Sequence, residues 1–217
     1  INFLRPAEQH DELGRLGDYR ILDVVGVGGM GIVFRAQDIN LKREVALKAM
    51  KPLIAADNSA RNRFLREAQS AASIVHDHVV AIHQVGEDQG IPFIAMRLLL
   101  GETLNTRIKR EKRLDQHEVV RIGSEIASGL AAAHEQGLVH RDIKPDNIWL
   151  EESTGRVKIL DFGLTRGLAE NADITQSGVV VGTPRYMAPE QAAGNRGEVG
   201  ITSDVYSLSC ILYHMLT

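Results

Sequence analysis

The stretch "LVHRDIKPDNIWL", residues 138–150, places a highly polar loop between two apolar flanks. Apolar residues on both sides of a polar loop normally lie in a hydrophobic core and fix the geometry of what lies between them. A reaction centre needs an acid, a base and an amide mounted in this way, because errors of about an ångström in position erode catalysis. The sequence therefore predicts a reaction centre in this loop.

Composition limits the classes of protein to which the chain can belong. Its 217 residues are 44% apolar, which is enough for a substantial core. The net charge of -3 gives no basic field for nucleic acid or an anionic membrane. The apolar run "IPFIAMRLLL" is too short to span a bilayer and contains Arg97. The lone Cys210 fits a reducing compartment, so we expect a cytoplasmic segment without nucleic-acid partner or membrane contact.

The two ends of the chain carry separate expectations. Residues 1–17 are polar and aperiodic and predict an N-terminal arm or linker. The chain begins at Ile1 without an initiator methionine and stops at Thr217 within an apolar helical pattern. We expect a piece of a longer protein, whose parent could carry a membrane anchor elsewhere.

Residues 18–100 predict an antiparallel sheet with one helix. The predicted strands are "YRILDVV", "GIVFRAQD", "REVALKAMK", "VVAIHQVGED" and "IPFIAMRL". Apolar residues at helical spacing predict a helix from about Ser59 to Ile74, capped by Asn58 or Ser59.

Residues 101–217 predict a mainly helical region. A long helix ends at Gly137, and "NIWLEE" and "RVKILD" form a hairpin. An aperiodic loop runs from Gly163 to about Thr183. "ITSDVYSLSCILYHMLT" is a helix that is apolar almost all round and needs burial.

The stretch "GVGGMGIV", residues 26–33, has glycines that let backbone amides approach a phosphate. Alone this signal is weak, because a flexible hairpin has the same pattern. A dinucleotide-binding fold needs a helix to begin at the last glycine, but "IVFRA" has the composition of a strand. The stretch therefore favours a phosphate-binding hairpin.

Several charged or amide side chains could act on phosphate. Lys48 ends "VALK", where the plain alternative is a lysine at a sheet edge. Glu67 borders the apolar face of its helix and needs a cation, for which Lys48 is the candidate. Asp161 and Asn147 each lie beside a predicted strand and offer the hard oxygen ligands that Mg²⁺ prefers.

These motifs occur in the order of the protein-kinase signature set: "GVGGMGIV", "VALK", Glu67, "HRDIKPDN", "DFG" and "APE". The chain resembles a eukaryotic-like (Hanks-type) Ser/Thr protein kinase, and "FLREAQSAA" and "GTPRYMAPE" are most similar to bacterial members. The resemblance implies a two-lobed α+β kinase-like fold. The small lobe would span residues 18–100, and residues 101–217 would form only the N-terminal part of the large lobe.

The resemblance also implies roles for individual residues. Asp142 would accept or orient the proton of the substrate hydroxyl, and Lys144 would neutralise charge on the transferring group. Lys48 and Glu67 would form an ion pair at the phosphates of ATP. Asn147 and Asp161 would hold Mg²⁺, with Mn²⁺ as an alternative. His140 would be structural, stacked under Phe162 rather than acting as a base.

The ATP-binding residues implied by the resemblance lie in the glycine hairpin, the following strands, the hinge and the adenine floor. They are Val25, Gly26, Val27, Gly28, Gly29, Met30, Gly31, Val33, Ala46, Lys48, Met96, Arg97, Leu99 and Trp149. Met96 matches the gatekeeper. For Trp149, core packing and direct adenine contact stay equally open.

Regulation is implied by the segment between "DFG" and "APE". Thr175 and Ser177 are candidate autophosphorylation sites, with dimerisation as a possible route, and Arg141 could pair with the added phosphate. Lys144 and Thr183 match the Ser/Thr-specific pattern. The predicted function is ATP-dependent phosphorylation of protein serine or threonine. A pseudokinase scaffold is the alternative, and a small-molecule phosphotransferase is disfavoured by "APE" and the long loop.

Overall fold

The computed structural model describes residues 1–162, 184–195 and 197–217. The chain divides into two compact units. Unit 1 contains Ile1–Ser73 and Ala81–Leu99, and unit 2 contains Ile74–Val80 and Leu100–Thr217. This division differs from the predicted one in three details: residues 1–17 belong to unit 1, residues 74–80 belong to unit 2, and unit 2 resumes at Leu100 and not at residue 101.

Unit 1 is built on an antiparallel sheet with six strands among its residues, in the order β1-β2-β3-β4-β6-β5. The strands are β1 (Gly14–Leu16), β2 (Tyr19–Val27), β3 (Gly31–Asp38), β4 (Glu44–Met50), β5 (Ile82–Asp88) and β6 (Ile91–Arg97). All five strands predicted from β-branched and aromatic patterns are present. The strand that begins at Gly31 also confirms that no helix follows the glycine stretch.

Two helices accompany this sheet, α1 (Pro52–Ala55) and α2 (Asn58–Ala72). Phe64, Ala68 and Ala71 form part of the buried face of α2, as their spacing predicts. The predicted cap at Asn58 or Ser59 is wrong, because the carboxylate of Asp57 accepts the hydrogen bond from the Ser59 amide. Asp is as good an N-cap as Asn or Ser, so composition alone could not fix this boundary.

The N-terminal segment is more ordered than a linker. β1 pairs with β2, Leu16 is fully buried, and the Glu12 side chain is enclosed between Arg15 and Arg20. Burial raises the pKa of Glu12, but hydrogen bonds from the Glu8 amide, Arg20 and Arg15 outweigh it and lower the pKa to about 2. The sequence pattern missed this segment because its strand is only three residues long and its ion pairs leave no apolar periodicity.

We expect Glu12→Ala to destabilise the protein by about 1–3 kcal/mol at neutral pH, because two arginines and an amide lose a buried charged acceptor. Glu12 has a folded-state pKa below its ordinary value of 4.5, so its contribution is present above 4.5 and is lost as pH falls towards 2. Denaturant unfolding should therefore show a smaller difference from wild type at pH 3 than at pH 7. Glu8→Ala, which removes an exposed partner of Arg15, is the control and should change stability little. An equal effect of both variants would contradict this prediction.

Unit 2 combines a small sheet with helices. Its strands are β7 (Gly101–Thr103), β8 (Ile148–Glu151) and β9 (Val157–Ile159). Its helices are α3 (Leu104–Glu111), α4 (Gln116–Glu135), α5 (Pro189–Ala192) and α6 (Ile201–Leu216), with 3₁₀ turns at Pro145–Asn147 and Pro184–Tyr186. Along the described parts of the chain, no helix has the length and apolar character needed to cross a bilayer.

The core of unit 2 lies where α4 meets α6. Ile122, Ile126 and Ile211 are fully buried. A Cβ atom at Gly123 would lie 2.6 Å from the Leu212 side chain, so this glycine permits the close approach of the two helices. The predicted hairpin is confirmed as β8 and β9, whereas α3 was missed because only Leu104 and Ile108 of its eight residues are apolar. The predicted loop over residues 163–183 lies outside the described residues.

Candidate active site

The loop quoted at the outset lies between α4 and β8 of unit 2, and buried residues hold it from within and from its C-terminal side. Ile143, in the middle of the loop, is 1% exposed, and Ile148, at the start of β8, is fully buried. Leu160 donates its amide to the carbonyl of Asn147 at 2.9 Å, which ties the loop to the end of β9. The predicted rigid mounting is therefore present.

Asp142 is the centre of a short hydrogen-bond network. Lys144 Nζ donates to Asp142 Oδ2 at 2.7 Å, and Asn147 Nδ2 donates to the same oxygen at 3.1 Å. Asn147 Nδ2 also donates to the Asp142 carbonyl at 2.8 Å. The Asp142 side chain is 23% exposed, so its carboxylate is oriented by two donors and still accessible from solvent.

His140 is fully buried beneath this network, and its ring centroid lies 4.7 Å from that of Phe162. Its Nε2 bonds the Leu160 carbonyl at 2.8 Å, and the Asp142 amide donates to its Nδ1 at 3.2 Å. A carbonyl only accepts and an amide N–H only donates, so the ring is held as one neutral tautomer. Both nitrogens are occupied, in agreement with the structural role expected for His140.

Asn147 and Asp161 form the candidate metal-binding pair. The Asn147 side chain uses its Nδ2 on Asp142, which leaves its Oδ1 oxygen for a cation. Asp161 follows β9 in a left-handed backbone conformation with φ of 58°. An amide oxygen and a carboxylate are the hard donors that a divalent cation with phosphate oxygens requires, so the donor set fits.

The sequence reasoning missed Asp204 of α6, whose carboxylate binds backbone amides of the loop. Asp204 is 1% exposed. Its Oδ2 accepts from the His140 amide and bonds His134 Nε2, both at 2.8 Å, and its Oδ1 accepts from the Arg141 amide at 2.8 Å. A carboxylate in an otherwise apolar helix needs hydrogen-bond donors once it is buried. An acidic residue within the apolar pattern of α6 was therefore the sequence signal that could have revealed this contact.

The backbone at Arg141 is strained. Its φ of 66° lies in the left-handed region, which costs a bulky residue about 1–3 kcal/mol. Asp204 holds the amide of this residue, and Gln191 of α5 donates its Nε2 to the carbonyl at 2.8 Å. The same helix carries Glu190 of "APE", whose pKa is lowered by the hydrogen bond from the Ser203 hydroxyl.

The glycine hairpin of unit 1 connects β2 to β3. Gly28 donates its amide to the Gly31 carbonyl at 2.9 Å, and the Lys51 amide bonds the Met30 carbonyl at 3.0 Å. A Cβ at Gly31 would lie 2.5 Å from the Ala49 carbonyl oxygen, so packing requires this glycine. A Cβ at Gly26 would meet nothing within 4 Å, so the fold does not require glycine there. An open backbone at Gly26 suits the close approach of a ligand.

The strand register places five of the predicted ATP-binding residues on one face of the sheet, whereas Val27 and Arg97 pair with Ile32 and Val45 on the opposite face. Directly paired residues of antiparallel strands share a face, as do alternate residues of one strand. Val33 pairs with both Gly26 and Lys48, and Ala46 pairs with Met96. The residues that share this face are Gly26, Val33, Ala46, Lys48 and Met96. Glu67 is partly buried on α2 beside Ala68, and its pairing with Lys48 stays a prediction.

Trp149 lies on the opposite face of β8 from the buried residues Ile148 and Leu150. Its side chain is partly exposed, and its Nε1 donates to the carbonyl of Leu100 at 3.3 Å. Core packing and direct adenine contact therefore both stay predictions for this residue. The contact with Leu100 fixes the orientation of the indole ring.

Comparison with known proteins assigns the chain to a family. Residues 19–217 match the protein kinase domain. The chain belongs to the protein kinase family. This kinase chain is 39% identical to the serine/threonine-protein kinase PknB of Mycobacterium leprae over 203 residues, which are 92% of the chain and 32% of that protein. It is 42% identical to the serine/threonine-protein kinase PrkC of Bacillus subtilis over 201 residues, which are 93% of the chain and 30% of that protein.

Solved structures agree with the family assignment. The PknI kinase domain of Mycobacterium tuberculosis matches with a TM-score of 0.75 at 30% identity, over 93% of this chain and 75% of that one. The predicted α+β kinase fold and the similarity to bacterial members are thereby confirmed. The chain spans less than a third of each curated relative named above. The predicted regulatory residues Thr175, Ser177 and Thr183 lie outside the described residues.

Proposed function

We propose that this kinase domain transfers the terminal phosphoryl group of ATP to serine or threonine hydroxyls of proteins. The observation that carries the proposal is the Asp142 carboxylate, oriented by Lys144 and Asn147 in an accessible loop. Phosphoryl transfer demands little covalent chemistry from a protein, since positioning and charge neutralisation supply most of the catalysis. The network at Asp142 provides both.

Each residue has a distinct task in this proposal. Asp142 accepts or orients the proton of the substrate hydroxyl. Lys144 lies 2.7 Å from that carboxylate, so its ammonium group can also neutralise charge on the transferring phosphoryl group. Lys48 of unit 1 orients the phosphates of ATP, supported by Glu67, while the backbone amides of the glycine hairpin bind phosphate oxygens.

A divalent cation belongs to the same proposal. Asn147 and Asp161 would hold it, and we propose Mg²⁺ as the physiological ion with Mn²⁺ as a substitute. When bound, such an ion would neutralise negative charge on the phosphates. The neighbouring residues contribute by fixing the ligands, since Asp142 holds the amide of Asn147 in one orientation.

The pseudokinase alternative receives no support from the described residues, because Lys48, Glu67, Asp142, Asn147 and Asp161 are all present. Incubation of the whole protein with labelled ATP and Mg²⁺, followed by phosphosite mapping, decides between the two functions. We expect phosphoserine or phosphothreonine. Nucleotide binding without any phosphoryl transfer would support the pseudokinase instead. A cytoplasmic location and dimerisation during autophosphorylation stay predictions.

We expect the intrinsic fluorescence of the protein domain to change when ATP binds. Trp149 is the one tryptophan of the chain, and its indole has a partly exposed face outside the core of unit 2. Contact between an adenine ring and an indole alters tryptophan emission, so titration with ATP should give a saturable change that Trp149→Phe removes. The difference between wild type and Trp149→Phe separates the emission of Trp149 from that of any other tryptophan in the whole protein. Tight ATP binding with constant Trp149 emission would leave only a structural role for this residue.

Phosphorylation of Thr175 or Ser177 should raise activity. A phosphate there could form charge-assisted hydrogen bonds with Arg141, which directly precedes Asp142. Mass spectrometry after incubation with ATP should find phosphate on one or both residues, and a Thr175→Ala/Ser177→Ala variant should transfer phosphate more slowly. Ser153→Ala, in an exposed turn of unit 2, is the control. Full activity of the double variant would confine Arg141 to a structural role.

A further inference from the structure

We propose that Gln191 is a positioning residue for Asp142, acting through the peptide bond between Arg141 and Asp142. The proposal rests on the proposed function, in which Asp142 orients the substrate hydroxyl. Gln191 belongs to α5 and lies outside the loop of residues 138–150, which is called the catalytic loop from here on. The sequence patterns did not indicate Gln191.

The side-chain amide of Gln191 links the start of α5 to the catalytic loop. Its Nε2 donates to the Arg141 carbonyl at 2.8 Å, and its Oε1 accepts from the Ala188 amide at 3.0 Å. The partners fix which end is which, because a carbonyl only accepts and an N–H only donates. One half of the side chain therefore caps its own helix, and the other half holds the catalytic loop.

The peptide that Gln191 holds leads directly into Asp142. Its carbonyl is fixed by Gln191, and its N–H, which belongs to Asp142, donates to His140 Nδ1 at 3.2 Å. The plane of this peptide is therefore held at both ends. A rotation of that plane would move the Cα of Asp142 and with it the carboxylate, where small displacements reduce catalysis strongly.

The hydrogen bond from Gln191 matters because the backbone of Arg141 is strained. Arg141 has a φ of 66°, a conformation that bulky residues leave unless their surroundings hold them. Asp204 holds the N–H of Arg141 on one side, but it makes no described contact with the carbonyl that follows. Gln191 holds the carbonyl on the other side of this strained residue, so its loss leaves the left-handed conformation of Arg141 less firmly held.

Two variants separate the loop contact from the helix cap. Gln191→Glu keeps the length of the side chain and an oxygen that accepts from Ala188, but it has no N–H for the Arg141 carbonyl. Gln191→Met has a similar length and loses both hydrogen bonds. Gln116→Glu, at the exposed start of α4, adds the same charge elsewhere in unit 2 and is the control.

The experiment measures kcat and KM for ATP, the melting temperature, and amide hydrogen exchange at Asp142 in the whole protein. For Gln191→Glu we expect kcat to fall about tenfold to a hundredfold. Its KM for ATP should match wild type, its melting temperature should fall only slightly, and exchange at Asp142 should be faster. Gln191→Met should in addition melt at a lower temperature. The control should resemble wild type throughout.

Wild-type kcat and exchange in Gln191→Glu would overturn the proposal and leave Gln191 as a helix cap. A lower kcat with unchanged exchange at Asp142 would overturn it as well, because the loss would then arise elsewhere. Hydrogen exchange does not depend on turnover, so it tests the link even if the wild-type protein transfers no phosphate. Absence of phosphoryl transfer by the wild-type protein would contradict the proposed function and would leave the positioning role of Gln191 to be decided by hydrogen exchange.

Discussion

Asp142→Asn is expected to lower the rate of phosphoryl transfer by about two to four orders of magnitude, the usual contribution of a general base. An amide of the same shape can still contact Asn147, but it cannot accept a proton and loses the charge that attracts Lys144. Because the Asp142 side chain is 23% exposed, the neutral replacement should fold normally. Steady-state transfer to a protein substrate measures the effect, with the melting temperature as the test of folding.

Asp77→Asn is the matched control, since the Asp77 side chain is 82% exposed and meets Arg156 only at 4.0 Å. It should transfer phosphate at the wild-type rate. If Asp142→Asn retained more than about a tenth of wild-type activity, general-base catalysis by Asp142 would be wrong, because even the weakest such contribution is larger.

Lys48→Met should reduce activity by about two to three orders of magnitude, as does removal of other electrostatic stabilisers. Lys48 is partly buried on the sheet face that also carries Val33, Ala46 and Met96, so methionine can occupy its volume without a charge. We expect a melting temperature close to that of wild type. The main loss should be in kcat if the lysine stabilises the transition state more than it binds ATP.

Lys42→Met is the control for this substitution, because Lys42 is exposed in the turn between β3 and β4 of the same unit. Near-normal turnover of Lys48→Met would remove Lys48 from the proposed mechanism. Unfolding of Lys48→Met, with Lys42→Met stable, would instead show that Lys48 is needed for the fold of unit 1.

The sequence was sufficient for those parts of the site that depend on local pattern. Alternating β-branched residues predicted β3 and β4, and the register then brings Val33 and Lys48 opposite each other. The apolar flanks of the loop were predicted to lie in a core, which Ile148 and Leu150 confirm for the C-terminal flank, whereas Leu138 and Val139 are only partly buried. For His140, the predicted contact with Phe162 is present, although the rings are tilted by 58° and not stacked.

Contacts between side chains and distant backbone could not be found in this way. Asp204 and Gln191 hold the catalytic loop over separations of 64 and 50 residues, and neither contact leaves a periodic signal. Glu12 was missed for a related reason, since its role depends on Arg15 and Arg20 adopting one geometry. Composition can show that a polar residue is present, but only the fold shows which group satisfies it.

The buried carboxylate of Asp204 determines when the conformational entropy of the catalytic loop is lost. Its two contacts with the amides of His140 and Arg141 form as α6 packs into unit 2, before any substrate arrives. Fixing the backbone of a residue costs about 1–2 kcal/mol, and here that cost is part of the folding free energy. Binding of ATP and substrate therefore does not have to order this part of the loop, and more of their interaction energy remains for the transition state.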